Sequence, residues 1–199
     1  MIKKKLSKHI DEAINKGEQQ IELFKEEKKY AEKHDLLAPG LEVVLKLDSS
    51  RFSDAYIERC EKETDALILV ESPSFLEQST DHLLKHRNEF VFVESKAFEI
   101  IGVEAISLEF DDVFKTVSAM FGLKLQKKFG PAMKEYLENH LVDEEGKYSI
   151  QFSMADGLWD VNFALSYVEG FKADMPLSEA YQLLYNFIFS LVETVEEIE

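Results

Sequence analysis

Cysteine is almost missing from this chain: Cys60 is the only one in 199 residues, which excludes any intrachain disulfide. A single thiol among many lysines predicts a reducing compartment, so the cytoplasm is the expected location. Glycine is sparse too. The eight glycines never form even a Gly-x-Gly pair, which excludes a P-loop and a dinucleotide-binding fingerprint. Long apolar runs are also lacking. The greasiest stretch, Leu183 to Val192, is interrupted by Asn186 and Ser190 and falls well short of the roughly 20 residues that cross a bilayer. The basic start Lys3-Lys4-Lys5 has no apolar segment behind it, so no export is predicted and no membrane partner is expected.

The last third lacks positive charge. From Glu135 to Glu199 there are 14 acidic residues against Lys147 and Lys172, and the whole chain carries a formal charge of −16. Nucleic-acid binding draws most of its affinity from Lys and Arg replacing counterions, so a field of this sign argues against DNA or RNA as a partner. A protein partner, especially a basic one, or a second copy of the chain suits it better. The same third holds 11 of the 23 aromatic side chains, which marks it as core-building.

At this length the sequence predicts one domain over 1–199, subdivided into an N-terminal helix (1–35), an α/β layer (36–110) and a helix-hairpin-helix portion (111–199). Ile2, Leu6, Ile10, Ile14, Ile21, Phe24 and Ala31 recur at helical steps and predict one long helix over 2–34, interrupted at Gly17. After Ala38-Pro39-Gly40, Leu41 to Leu47 reads as a strand. Phe52, Tyr56 and Cys60, four apart, predict a helix ending near Glu63, and Ala66 to Val70 predicts a strand buried on both faces. A helix from Ser72 to His86 is expected next, then a strand at Phe90 to Val93 and one or two more between Phe98 and Phe110. Asp111 and Asp112 are placed to cap a helix through Val113, Val117 and Met120, and Gly130-Pro131 either starts a helix or kinks one.

The clearest local signal follows the acidic surface turn Asp143 to Gly146. Tyr148, Ile150, Phe152 and Met154 alternate with small polar residues, and the pattern resumes after Ala155-Asp156-Gly157 through Val161, Phe163, Leu165 and Tyr167. Asp-Gly between two such runs predicts a hairpin. A face of eight large apolar side chains needs a cover, and the stripe from Leu177 to Val195 predicts a final helix that supplies it. The fold class is therefore α+β: a mixed sheet of short strands with helices packed on it, a long N-terminal helix, and a C-terminal hairpin followed by a helix.

Chemistry-bearing residues are few. His82 and His86 stand four apart on one predicted helical face, the spacing that lets two imidazoles reach one zinc ion, but Leu83 stands where a metalloprotease helix carries its glutamate. They are weak metal candidates, and a surface histidine pair is the plainer reading. Cys60 continues an apolar face and reads as a small buried side chain. Trp159, which reads as out of phase with the buried hairpin face or else as sitting at a bulge, stands beside Asp156 and Asp160. An exposed indole ringed by acids is a candidate partner contact, and an indole folded back over the hairpin edge is the alternative. No catalytic residue and no cofactor site are assigned.

The runs Leu123 to Phe129, Asp156 to Phe163 and Phe189 to Glu193 look like those of small proteins from Bacillus-type bacteria, some of which carry the label branched-chain amino acid aminotransferase. The resemblance covers most of the chain and implies an organism type more than an activity. Aminotransferases of that name are similar to fold-type IV pyridoxal phosphate enzymes, which are longer and need a buried Schiff-base lysine and a phosphate cup. Lys96 is the lysine the sequence offers, within the polar run Glu94-Ser95-Lys96-Ala97. The expected function is therefore a protein-interaction or regulatory module, the alternative being a small enzyme acting on an amino-acid-like metabolite.

Overall fold

The computed structural model describes residues 1–142 and 148–198, so the expected turn at Asp143 to Gly146 lies outside them. The N-terminal segment is a helix, a strand and a second helix instead of one rod. Helix α1 spans Ile2–Asn15 and buries Ile2, Leu6, Ile10 and Ala13. Gly17, at φ +76°, ends it: its N–H donates to Ile14 O and the next N–H, from Glu18, donates to Ala13 O. This paired termination needs a left-handed residue at Gly17 and turns the chain out of the helix. Strand β1 (Gln20–Leu23) and helix α2 (Lys25–Lys33) follow, then β2 (Glu42–Leu45). Strands β1 and β2 pair in parallel and form a two-stranded sheet of their own.

The segment expected as a helix before Glu63 is strand β3 (Tyr56–Glu61), which turns back into β4 (Leu67–Glu71). Tyr56 and Cys60 share a face because a strand also returns to one face after four residues. After the short helix α3 (Asp81–Lys85) come β5 (Glu89–Glu94), the helical turn α4 (Phe98–Ile101) and the strands β6 (Val103–Asp111) and β7 (Thr116–Leu123). Asp111 caps no helix. Its Oδ1 accepts from the N–H groups of Val113 (2.7 Å) and Phe114 (2.9 Å), closing the turn between β6 and β7. Gly130-Pro131 starts a fresh helix, α5 (Gly130–His140). The expected hairpin is β8 (Tyr148–Ser153) and β9 (Leu158–Ala164), with Gly157 at φ +69° in its turn, and the expected final helix is α6 (Leu177–Glu196).

The main sheet runs β4-β3-β5-β6-β7-β9-β8 and is antiparallel at every pairing, so β3 to β6 form antiparallel ribbons where an α/β layer is expected, and within 36–110 the parallel pairing is that of β2 with β1. The α+β class stands, with the parallel pair kept apart from the seven-stranded sheet. Cross-strand partners share a face, so two rows describe the sheet. Leu69, Arg59, Val91, Leu108, Ala119, Phe163 and Tyr148 form one row, and Val70, Glu58, Phe92, Ser107, Met120, Asn162 and Ser149 form the adjacent row on the other face.

Helix α6 covers the first face. It buries eleven side chains, among them Tyr181, whose hydroxyl donates to Val91 O at 2.9 Å, and Phe187, whose ring lies 5.0 Å from that of Phe163. Full burial holds the Tyr181 hydroxyl protonated by pushing its pKa well up. Helix α5 packs beside α6 through Tyr136, 5.4 Å from Phe187, and α1 joins the same layer, with Ile2 N donating to Glu196 Oε2 at 3.1 Å.

Candidate functional site

The histidine pair forms no converging site. His82 and His86 stack with ring centroids 4.0 Å apart, His86 Nδ1 bonds the His82 carbonyl oxygen at 3.0 Å, and Phe75 closes the other side at 5.0 Å. Burial, the His86 ring and Arg59 lower the pKa of His82, which favours its neutral form. Among the described residues the one group of three metal-ligating side chains within reach of one another is His34, Glu193 and Glu197. Its carboxylates already hold a cation: Lys33 Nζ lies 2.9 Å from Glu193 Oε1 and also pairs with Glu197. Cys60 is buried, and burial followed by Glu58 raises its pKa, the wrong direction for a nucleophile.

Trp159 is 7% exposed and unavailable as an outward contact. It lies in phase with Val161 and Phe163 on β9, two and four residues away, so the reading of it as out of phase is corrected. Its ring meets Phe152 edge-on at 5.2 Å and presses on Gly130, where an added Cβ would lie 2.5 Å from Cη2. Asp156 accepts the Ser153 hydroxyl at 2.7 Å within the turn, and Asp160 is exposed on the uncovered face opposite Gly122 and Gln151. The acids are thus on the surface and the indole is not.

What sequence reasoning placed inside is outside. Leu67, Ile68, Leu69 and Val70 on β4 are 53%, 44%, 50% and 46% exposed, although Ala66 to Val70 reads as a doubly buried strand. Strand β4 is one of the two edge strands of the sheet, β8 being the other. Leu69 lies in the helix-side row yet stays half exposed, so the helical layer does not cover this edge. On the other face Tyr56 is 43% exposed, with Phe90 and Phe92 of β5 half-buried in the neighbouring rows. The charge that ends the strand is already matched, since Arg59 bridges Glu71 (3.2 Å) as well as Glu89 of β5 (2.8 Å). A bulge leaves Ile68 without a partner on β3, between the pairs Arg59–Leu69 and Cys60–Leu67. No sequence signal separates an apolar run covered by its own chain from one covered by another.

A second feature lies near the end of the sheet where β3 begins and β5 ends. A cleft of about 1,240 Å³ opens between α1, the end of β2, the Ser50 to Asp54 segment and the corner that leads into α4. Arg51 forms part of its wall, with its guanidinium between the rings of Phe24 (3.6 Å) and Tyr185 (4.1 Å) and paired with Glu26 at 2.5 Å. Lys96, the lysine singled out from sequence, is exposed on the cleft's rim, whereas a Schiff-base lysine needs burial. Its N–H donates to Asp54 Oδ2 at 3.1 Å.

No protein-family model matches the chain, and no curated protein and no solved structure matches it. Among the described residues no helix is long and apolar enough to cross a membrane.

Proposed function

We propose that the protein is a cytoplasmic interaction module that self-associates through the β4 end of its sheet, one copy covering the edge of another. The observation that carries this reading is the run of four consecutive apolar side chains, each between 44% and 53% exposed, along a free strand edge. An unpaired apolar edge is a template for another strand, and folded proteins cover or charge such edges. Here Ala66 to Val70 carries no charge in a chain of net −16, so nothing on this strip selects a basic partner.

A second copy fits the strip well. With a two-fold axis at Leu69, antiparallel pairing sets Ile68 opposite Val70, Leu67 opposite Glu71 and Asp65 opposite Pro73, and no two like charges meet. The bulge at Ile68 and the proline just beyond the strand keep the edge short, which favours a closed pair over an open stack.

Light scattering across about a hundredfold range of protein concentration tests the proposal. The wild type is expected to shift from one copy to two, and the Val70→Glu protein to remain a single copy with an unchanged circular dichroism spectrum. A strictly monomeric wild type at the highest concentration overturns it.

A further inference from the structure

The small sheet of β1 and β2 has an open outer edge. Parallel strands are ordinarily buried, and two strands alone are marginal in water. The bonds to β1 fix which way each peptide group of β2 points. Glu42 N–H donates to Gln19 O and Lys46 N–H to Leu23 O, each at 2.9 Å. The even-numbered amides therefore turn inward, and the N–H and C=O groups of Val43 and Leu45 turn outward. Those outward groups make no hydrogen bond among the described residues. The side chains around them are apolar and accessible, with Val44 38%, Leu45 52% and Leu47 74% exposed. An edge of this kind is a template for another strand.

Charge and register say what fits this edge. The segment Leu41-Glu42-Val43-Val44-Leu45-Lys46-Leu47 is an apolar run with opposite charges placed symmetrically about Val44. With a two-fold axis at Val44, antiparallel pairing of two copies sets Glu42 opposite Lys46, Val43 opposite Leu45 and Val44 opposite itself. Val43 and Leu45 then exchange both of their N–H···O bonds in each half of the pair, because both already point outward. Val44 falls in a pair without bonds, as its inward amide requires. Neither charged side chain has a strong partner of its own: Lys46 Nζ reaches Glu22 at 4.0 Å, and Glu42 accepts from the neutral Gln20 amide at 3.0 Å. Neighbouring registers lose the match. An axis at Val43 sets Glu42 opposite Val44, and one at Leu45 brings Glu42 against Asp48.

We propose that the outer edge of β2 is a second docking surface for another copy of the chain, on which two β2 strands pair antiparallel about Val44. The edge is short and its bonds are few, so it pairs at millimolar concentration, above the range in which the β4 edge does. The two edges are independent, and either proposal can fail alone. In the wild type the β2 contact joins β4-linked pairs and carries assembly past two copies only in that upper range. Sedimentation of the full chain carrying Val70→Glu, which removes the β4 contact and leaves β2 untouched, tests it. This protein is expected to stay a single copy when dilute and to pair at millimolar concentration. Adding Val44→Glu or Val44→Lys sets like charges face to face and is expected to keep it single, with an unchanged circular dichroism spectrum, whereas an equal mixture of the two restores the pair. Glu42→Lys and Lys46→Glu are each expected to weaken pairing about tenfold, and the combined exchange to recover it. The proposal is overturned if the Val70→Glu protein stays single at millimolar concentration, if adding Val44→Glu leaves pairing as it was, or if the mixture pairs no better than either variant alone.

Discussion

The two ends of the seven-stranded sheet are built from equally apolar strands and end up in opposite environments. At the β8–β9 end, Trp159, Val161 and Phe163 are 7%, 3% and 1% exposed beneath α5 and α6, and the other face carries Asp160, Asn162 and Ser149. At the β4–β3 end, Leu67 to Val70 are about half exposed and no helix among the described residues covers them. Burying side chains of this size is worth roughly 1.5–3 kcal/mol each, so the first end is a core, and the second leaves comparable side chains in water, which is the feature the self-association proposal rests on. An apolar strand shows that cover is needed, and the topology decides whether the same chain provides it.

Matched changes at the two ends sharpen the contrast. The largest effect is expected at the covered end. Phe163→Ala removes the ring that meets Phe187 at 5.0 Å and Phe121 at 5.9 Å. It should cost about 3–5 kcal/mol, read from chemical denaturation of the single copy. Next is Gly130→Ala, whose new Cβ would approach Trp159 Cη2 to 2.5 Å. Pushing the indole off Phe152 is expected to cost about 1–3 kcal/mol, with a shift in tryptophan emission as the local readout. At the open end, Val70→Glu is expected to change the stability of the single copy by no more than about 0.5 kcal/mol while abolishing association. A cost comparable to that of Phe163→Ala would show that β4 belongs to the intramolecular core, and the contrast would be lost.

The smallest effect concerns pH. His82 keeps a pKa below its ordinary 6.5 because burial, the His86 ring and Arg59 oppose its charging more than Glu89 and Glu71 favour it. The unfolded chain therefore takes up a proton that the folded chain refuses. The stability this provides is complete above the ordinary imidazole value and is lost as pH falls through the lowered one. Melting temperature should fall on that acidic side, and His82→Phe should flatten the slope there. An unchanged slope in His82→Phe would assign the loss to other groups.

Legibility in the sequence followed the length and regularity of each pattern. The hairpin and α6 could be read because alternation on either side of the Asp156-Gly157 turn and helical spacing over Leu177 to Val195 are regular and agree with their turn residues. The N-terminal segment misleads because the apolar steps continue past Gly17 into β1 and α2, and only the left-handed glycine marks the break. Strand β7 reads as a helix because Val113, Val117 and Met120 keep helical spacing, while Thr116 and Val117 to Ala119 are buried on both faces of a strand. The cleft was invisible for a different reason. Its lining comes from α1, the end of β2, the Ser50 to Asp54 segment and the corner before α4, which tertiary packing alone brings together.

Hydrogen exchange at β4, followed as protein concentration is raised, reports most directly on whether this edge acquires a partner strand. The outward-facing amides of Leu67 to Glu71 should exchange freely in dilute protein and become protected in concentrated protein, while those of β9 stay protected throughout. Equal exchange of the β4 amides at every concentration would contradict the account.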